Sequence, residues 1–256
     1  MSADDLYDRI GRGYASIRRA DPRLAEPIWQ ALGDARSVVN IGAGTGSYEP
    51  ADREVIAVEP SGIMIGQRAP GAAPAVQAVA EDLPFEDDSF DAAMAIMTLH
   101  HWRDVNAGLA EMVRVARRRV VLVVFDTSAW SDQWIVRDYL PEVMTCLALP
   151  HPSIGQLLDV LPGAKVEPLL ATRDCTDRMF ATLWARPEQY LDPQVRAATS
   201  AWHQLPDSAS SRALTQLRAD LASGRWDERY GHLRTTAEWD VGLRLVRAEL
   251  STEGAS

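Results

Sequence analysis

Gly42, Gly44 and Gly46 follow an apolar run at 38 to 41 in "VVNIGAGTGS", and a carboxylate, Glu59, closes the next apolar run at 55 to 58. Glycine adopts backbone conformations that side chains forbid and lets a ligand lie close to the chain. An acidic side chain at a strand end can accept hydrogen bonds from both hydroxyls of a ribose. The pair reads as a nucleotide seat; the plainer reading is a tight turn beside a solvated strand end. The G-x-G-x-G spacing puts Ser47 where dinucleotide enzymes carry a residue that opens a helix against the pyrophosphate. Pro50 interrupts the short segment that follows, so a long phosphate-facing helix does not fit.

Other residues able to do chemistry stand near later apolar runs. His100 and His101 are adjacent after the run 91 to 97, and Asp126 ends the run 120 to 125. Neighbouring side chains at a strand end point to opposite faces, so one of the two histidines is expected to face a cleft. His151, His203 and His232 have no H-x-x-x-H or cysteine partner, and Cys146 and Cys175 fit no metal or redox spacing, so no metal is expected and both thiols are read as reduced.

The elements that must position these residues are legible in outline. From Asp4 to Arg19, Leu6, Tyr7, Ile10, Tyr14 and Ile17 recur at helical spacing. "DPRLAEPIWQALG" predicts a second helix with Asp21 as N-cap, Pro22 at its first position and Gly33 as its stop. The four apolar runs lack polar alternation and predict strands buried on both faces, as in a parallel sheet flanked by helices. "RDVNAGLAEMVRVARR" predicts a crossover helix between the third and fourth, and "SIGQLLDVLPG" a short helix opened by Ser153. Past residue 174, "RPEQYLDPQVRAATSAWHQL" and "SSRALTQLRADLASG" predict helices, and "EWDVGLRLVRAEL" a last strand with Val241, Leu243 and Leu245 on one face.

Composition excludes some partners. Asp and Glu number 36 against 26 Lys and Arg, and the longest basic run is Arg117 to Arg119, so no footprint for nucleic acid exists. No stretch approaches the roughly 18 apolar residues that span a bilayer, and the start is charged from Asp4, so the cytoplasm is the expected location.

"NIGAGTGS", "AVEPS", "AEDLPFEDDSFD" and "LHHW", in this order, resemble the class I S-adenosylmethionine-dependent methyltransferases, in particular the small-molecule group related to the ubiquinone and menaquinone methyltransferases. The resemblance runs over about residues 36 to 126. It implies an α/β, Rossmann-like, doubly wound and mostly parallel seven-stranded sheet in one domain, 1–256. Within it lie N-terminal lid helices at 1–34, the core at 36–174, a helical insertion at 176–232 and the last strand at 238–249. It also implies S-adenosyl-L-methionine as cofactor. Gly42, Gly44 and Gly46 would pass the methionine part, Glu59 would bind the ribose and Pro60 would pack on adenine. Ala80 and Glu81 would edge the adenine pocket, and Thr98, Leu99 and His101 would lie where the strand opens toward the sulfonium. Tyr14 would belong to the lid over the cofactor, with Tyr7 reaching toward the acceptor. Two contacts depart from the pattern: Asn40 replaces an acidic residue two positions before the first glycine, and Val79 an aspartate for the adenine amino group.

Methyl transfer needs alignment first and a base only if the acceptor carries a proton to lose. His101, His100 and Asp126 are the candidates; shaping without proton transfer is the alternative for His101, and loop capping for Asp126. Trp130 and Trp134 follow Asp126 and either border an apolar acceptor pocket, suited to an aromatic or terpenoid-like molecule, or glue the added helices to the sheet. The expected function is methyl transfer to an O, N or C atom of a small, apolar or aromatic metabolite, by a monomer or homodimer. The alternatives are a non-catalytic adenosyl-cofactor-binding protein and a nicotinamide-dependent oxidoreductase. The latter is disfavoured because Lys165 is the only lysine available for a Tyr-Lys pair.

Overall fold

The computed structural model describes residues 17–146 and 151–250. The first expected helix, with Tyr7 and Tyr14, lies outside them except for its last residues. Helix α1 (Pro22–Ala31) forms as predicted: the Asp21 carboxylate accepts the Arg23 N–H, Pro22 occupies the first turn, and Gly33 takes φ +57° just past the end. Strands β1 (Ser37–Ile41), β2 (Glu54–Val58), β3 (Ala75–Val76), β4 (Phe90–Ile96), β5 (Ala116–Phe125), β6 (Lys165–Thr172) and β7 (Glu238–Glu249) make one sheet in the order β3-β2-β1-β4-β5-β7-β6. The first five run parallel and β7 is antiparallel to both neighbours.

Both faces of the central strands are buried, which is why their sequences run apolar without alternation. Val38, Met94, Val121 and Val123 join one core with α1 and the later helices. Val39, Ala93, Ala95 and Leu122 join the other core, with α3 (Val105–Val115) and α5 (Ile154–Val160). Helix α3 is capped by Asp104, and α5 by a reciprocal Ser153 and Gln156 capping box. Between β1 and β2 the chain makes turns, and the next helices are the short α2 (Gly62–Gly66) after β2 and α4 (Val143–Cys146) after β5.

Two elements depart from the expectations. Strand β6 carried no clear pattern because it is an edge strand, half exposed, with Pro168 inside it; an edge tolerates a residue that cannot donate to a ladder. The expected helix across 186 to 205 is broken into a turn at Pro187–Leu191, α6 (Pro193–Ala197) and α7 (Ser200–Gln204), because Asp192 and Pro193 restart the chain with a new cap. Helix α8 (Asp207–Ser223) ends at Gly224 in the left-handed region, and α9 (Arg225–Tyr230) follows. Among the described residues no helix is long and apolar enough to cross a membrane.

Trp134, Tyr139, Tyr190, Trp226 and Tyr230 pack edge to face or stacked and join these helices to the sheet. The joint between the N-terminal segment, the glycine loop and the insertion is Asp177, which is fully enclosed. Its carboxylate pairs with Arg18 at 2.5 Å and accepts the Tyr48 hydroxyl at 2.8 Å.

Candidate functional site

A cavity of about 440 Å³ opens at the carboxyl ends of the parallel strands, between the sheet and the insertion. In open α/β sheets ligands bind at this edge, outside the carboxyl ends of the strands, where the order reverses on either side of β1. One end of the cavity is built from Asn40, Gly42, Ala43 and Gly44 after β1, and Glu59, Pro60, Ser61 and Met64 after β2. Val79, Ala80 and Glu81 complete it. Glu59 is 7% exposed, and its carboxylate accepts the Gly44 N–H at 2.8 Å and the Ser61 N–H at 3.0 Å. The acidic side chain therefore both lines the cavity and sets the shape of the glycine loop. Glu81 binds the N–H groups of Arg103 and Asp104, tying its loop to the start of α3.

The glycines differ in what they make room for. Gly42 sits at φ +67°, and a Cβ there would lie 2.1 Å from Thr98 Oγ1, so its bareness admits Thr98 of the neighbouring strand end. Gly44, at φ +54°, faces the cavity with only Met64 near, at 3.4 Å.

The other end of the cavity is aromatic. Met97, Thr98, His100 and His101 follow β4, Phe125 ends β5, and Trp130, His151, Met179, Phe180 and Ala181 come from later segments. Thr199, Ser200, Ala201 and Gln204 form its roof around α7. His100 and His151 stack at 4.7 Å with 11° between their planes, and His100 and His101 lie 3.9 Å apart. Phe125 and Trp130 present edges to the His151 ring at 6.1 and 5.6 Å. Met97 holds φ +55°, a strained conformation for a side chain of its size, at the point where β4 opens into the site. Burial, then the neighbouring His101, His151 and Arg18, pushes the His100 imidazole well below its ordinary range. Burial, then His151, pushes His101 down to about 3. Both rings are neutral and weakly basic at neutral pH.

The glycine loop matches a known family in sequence as well as in shape. Residues 39–124 match the family model described as a methyltransferase domain. The chain is 32% identical to the demethylmenaquinone methyltransferase of Mycolicibacterium paratuberculosis, over 63% of this chain and 73% of that one. It is 34% identical to the demethylmenaquinone methyltransferase of Beutenbergia cavernae, over 61% and 72%. Among solved structures it is similar to a protein of Anabaena variabilis named, as a provisional assignment, a methyltransferase from an antibiotic biosynthesis pathway. That match has a TM-score of 0.85 and 30% identity over 92% of this chain and 100% of that one. The chain belongs to the class I S-adenosylmethionine-dependent methyltransferases.

The methyltransferase uses S-adenosyl-L-methionine, and the cavity fits it: beside the bare Gly44, the Asn40 Oδ1 atom is buried without a hydrogen-bond partner and needs a donor. The nicotinamide alternative fails on the segment from Gly42 to Arg53, which turns without forming the phosphate-facing helix that cofactor needs.

Most sequence-predicted site residues of the methyltransferase meet at this cavity: Gly42, Gly44, Glu59, Pro60, Ala80, Glu81, Thr98, His100, His101 and Trp130. The others are placed differently from what the spacing predicts. Both histidines line the cavity, because they sit in a 3₁₀ turn, Leu99–His101, where successive side chains are not opposed as on a strand. Leu99 instead points into the core below the sheet. Gly46 lies outside the lining, close to the Glu49 and Arg68 side chains. Asp126 caps the turn that follows β5, accepting Ser128 N–H and hydroxyl and pairing with Arg244 at 3.2 Å, away from the cavity. Trp134 donates to the Trp184 carbonyl inside the insertion core, so of the two tryptophans Trp130 alone lines the cavity. Sequence reasoning missed His151, Met179 and Phe180, whose isolated positions carry no spacing signal.

Proposed function

We propose that the methyltransferase methylates a flat, hydroxylated aromatic metabolite held in the aromatic end of the cavity. The observation that carries this is the His100 and His151 stack, edged by Phe125 and Trp130 at one side of the chamber. Parallel and edge-to-face rings favour a planar π-surface over an aliphatic amine, which would instead need a carboxylate or an aromatic cage. The curated relatives are named for demethylmenaquinone, whose quinone ring is likewise planar.

In this reading the chain forms a single domain, with the insertion as the roof of the acceptor chamber. Bound S-adenosylmethionine supplies a methyl group already activated on sulfur, so holding the acceptor in line supplies much of the acceleration. Glu59 takes the ribose hydroxyls, Pro60, Val79 and Ala80 border the adenine, and the turn at Gly44 passes the methionine part. His100 and His101, held neutral, shape the chamber and hydrogen-bond without serving as strong bases. The proton of the acceptor hydroxyl goes to His151. The test is methyl transfer from labelled S-adenosylmethionine to a panel containing a dihydroxynaphthalene, an aliphatic amine and an acyclic terpenoid alcohol. Turnover confined to the hydroxylated ring is expected; turnover of the amine or the acyclic alcohol in preference to the ring would overturn the assignment.

A further inference from the structure

Strand β7 carries a bulge where it passes the end of β5. Asp240 pairs with Leu170 of β6 and Leu243 with Leu169, so Val241 and Gly242 have no counterpart on β6. Gly242 takes φ +81°, a conformation that glycine adopts without strain, and bulges of this kind re-aim the groups beside them. The bulge is tied down by charge. The Asp240 carboxylate accepts the Gly242 N–H at 2.9 Å and an Arg244 N–H at 2.7 Å, and Arg244 also pairs with Asp126 at 3.2 Å.

The 3₁₀ turn Thr127–Asp132, which carries Trp130, is fastened to this bulge at both ends. The Asp126 N–H donates to the Gly242 carbonyl at 2.7 Å, and Gln133 Nε2 donates to the Val241 carbonyl at 3.1 Å. Trp130 lines the aromatic end of the cavity, with the Phe125 and His151 rings against it at 5.5 and 5.6 Å, whereas Gly242 is not among the lining residues. The glycine stands behind the indole. A Cβ placed on it would lie 3.0 Å from both Cδ1 and Nε1 of Trp130, and 2.7 Å from the Asp126 carbonyl oxygen. Nε1 is buried and makes no hydrogen bond, so no polar contact fixes the ring, and the space behind it sets how far it stands into the chamber.

We propose that Gly242 is a positioning residue that sets the depth of the acceptor chamber: the missing side chain on β7 lets Trp130 draw back, which admits a fused two-ring acceptor where a filled position would admit a single ring. The proposal rests on the reading of the aromatic end as the acceptor chamber. Apolar atoms pack best at about 3.5–4.0 Å, so a Cβ would drive the indole off the bulge by on the order of 0.5–1 Å. Both ends of the turn are bonded to β7 and the cavity lies on the other side of the ring, so the displacement goes into the chamber. A close-packed wall has no slack to absorb it.

Calorimetric dissociation constants of a dihydroxynaphthalene and a dihydroxybenzene for the protein saturated with S-adenosylhomocysteine test this. Gly242→Ala should weaken the two-ring ligand by about tenfold, the effect of one methyl group in a close-fitting pocket, and leave the one-ring ligand within about threefold. The S-adenosylhomocysteine constant should stay within about twofold, since Gly242 and Trp130 lie apart from the glycine loop. In a Trp130→Leu background the same substitution should leave the ratio of the two ring constants within about twofold, because the side chain it displaces is gone. A general loosening of β7 would not be relieved in this way. Gly242→Asn, whose side chain is better tolerated at positive φ, carries the test if Gly242→Ala does not fold. Equal weakening of both ring ligands, an unchanged ratio, or a ratio that still shifts in the Trp130→Leu background would overturn the proposal. Failure of the parent protein to bind either ring would strike the acceptor reading itself, and the proposal with it.

Discussion

The two ends of the cavity are made by different means. The end proposed for the cofactor comes from one stretch, residues 40 to 81, and works through backbone N–H groups, positive-φ glycines and hydrogen bonds such as that donated by Gly44 N–H to Glu59. The end proposed for the acceptor gathers His100, Phe125, Trp130, His151, Met179 and Phe180 from separate segments and works through side-chain surfaces. The strand register of the sheet positions the first, while the packing of the insertion positions the second. In the proposed reading, a change in the insertion away from the Asp177 joint alters the acceptor without disturbing the cofactor.

The largest test acts on the joint between the two. Asp177→Ala leaves the part-buried Arg18 guanidinium without its carboxylate and removes the Tyr48 partner. A loss of about 3–5 kcal/mol in urea unfolding is expected, with weaker binding of both cofactor and acceptor; an effect on one ligand alone would show that the ends are not mechanically linked here. His151→Phe keeps a ring against His100 but cannot take a proton. Turnover should fall by about a hundredfold with the S-adenosylmethionine dissociation constant unchanged, and an unchanged turnover would remove His151 from the proton path. Conversely, Glu59→Ala should cost about 1.5–3 kcal/mol in cofactor binding by calorimetry while leaving acceptor binding to the cofactor-saturated enzyme intact.

The smallest effect is on pH. His100 and His101 return to about 6.5 in the unfolded chain, whereas burial keeps both lower in the folded one, His101 at about 3. Above pH 6.5 both states leave them neutral and stability does not depend on them. Below it the unfolded chain binds protons that the folded chain refuses, so stability falls as pH drops toward 3, by up to about 1.4 kcal/mol per pH unit for one such group. Urea midpoints measured between pH 7.5 and 5 should flatten in His100→Asn with His101→Asn; a parallel slope in the variant would show that the imidazoles are not the cause.

These contrasts follow what could be read in the chain. The central strands were legible because burial on both faces writes an apolar run, and α1, α3 and α5 because their caps are local side-chain bonds made by Asp21, Asp104 and Ser153. Strand β6 was not, because an edge strand with Pro168 lacks the periodic signature of a buried one. Trp130 and Trp134 are equivalent in sequence, and only the packing of the insertion sends one to the cavity and the other to Trp184.

The sequence by itself determined the sheet core, the glycine loop and the placing of Glu59 at a strand end, and, through the family resemblance of its motifs, the cofactor. Each depends on residues close in the chain, where backbone geometry and strand ends fix the outcome. Only the tertiary structure decided that His100 and His101 share the cavity, that His151 joins them, and that Gly242 stands behind Trp130. Those relations are contacts between segments, and a contact between segments leaves no periodicity or spacing in any one of them.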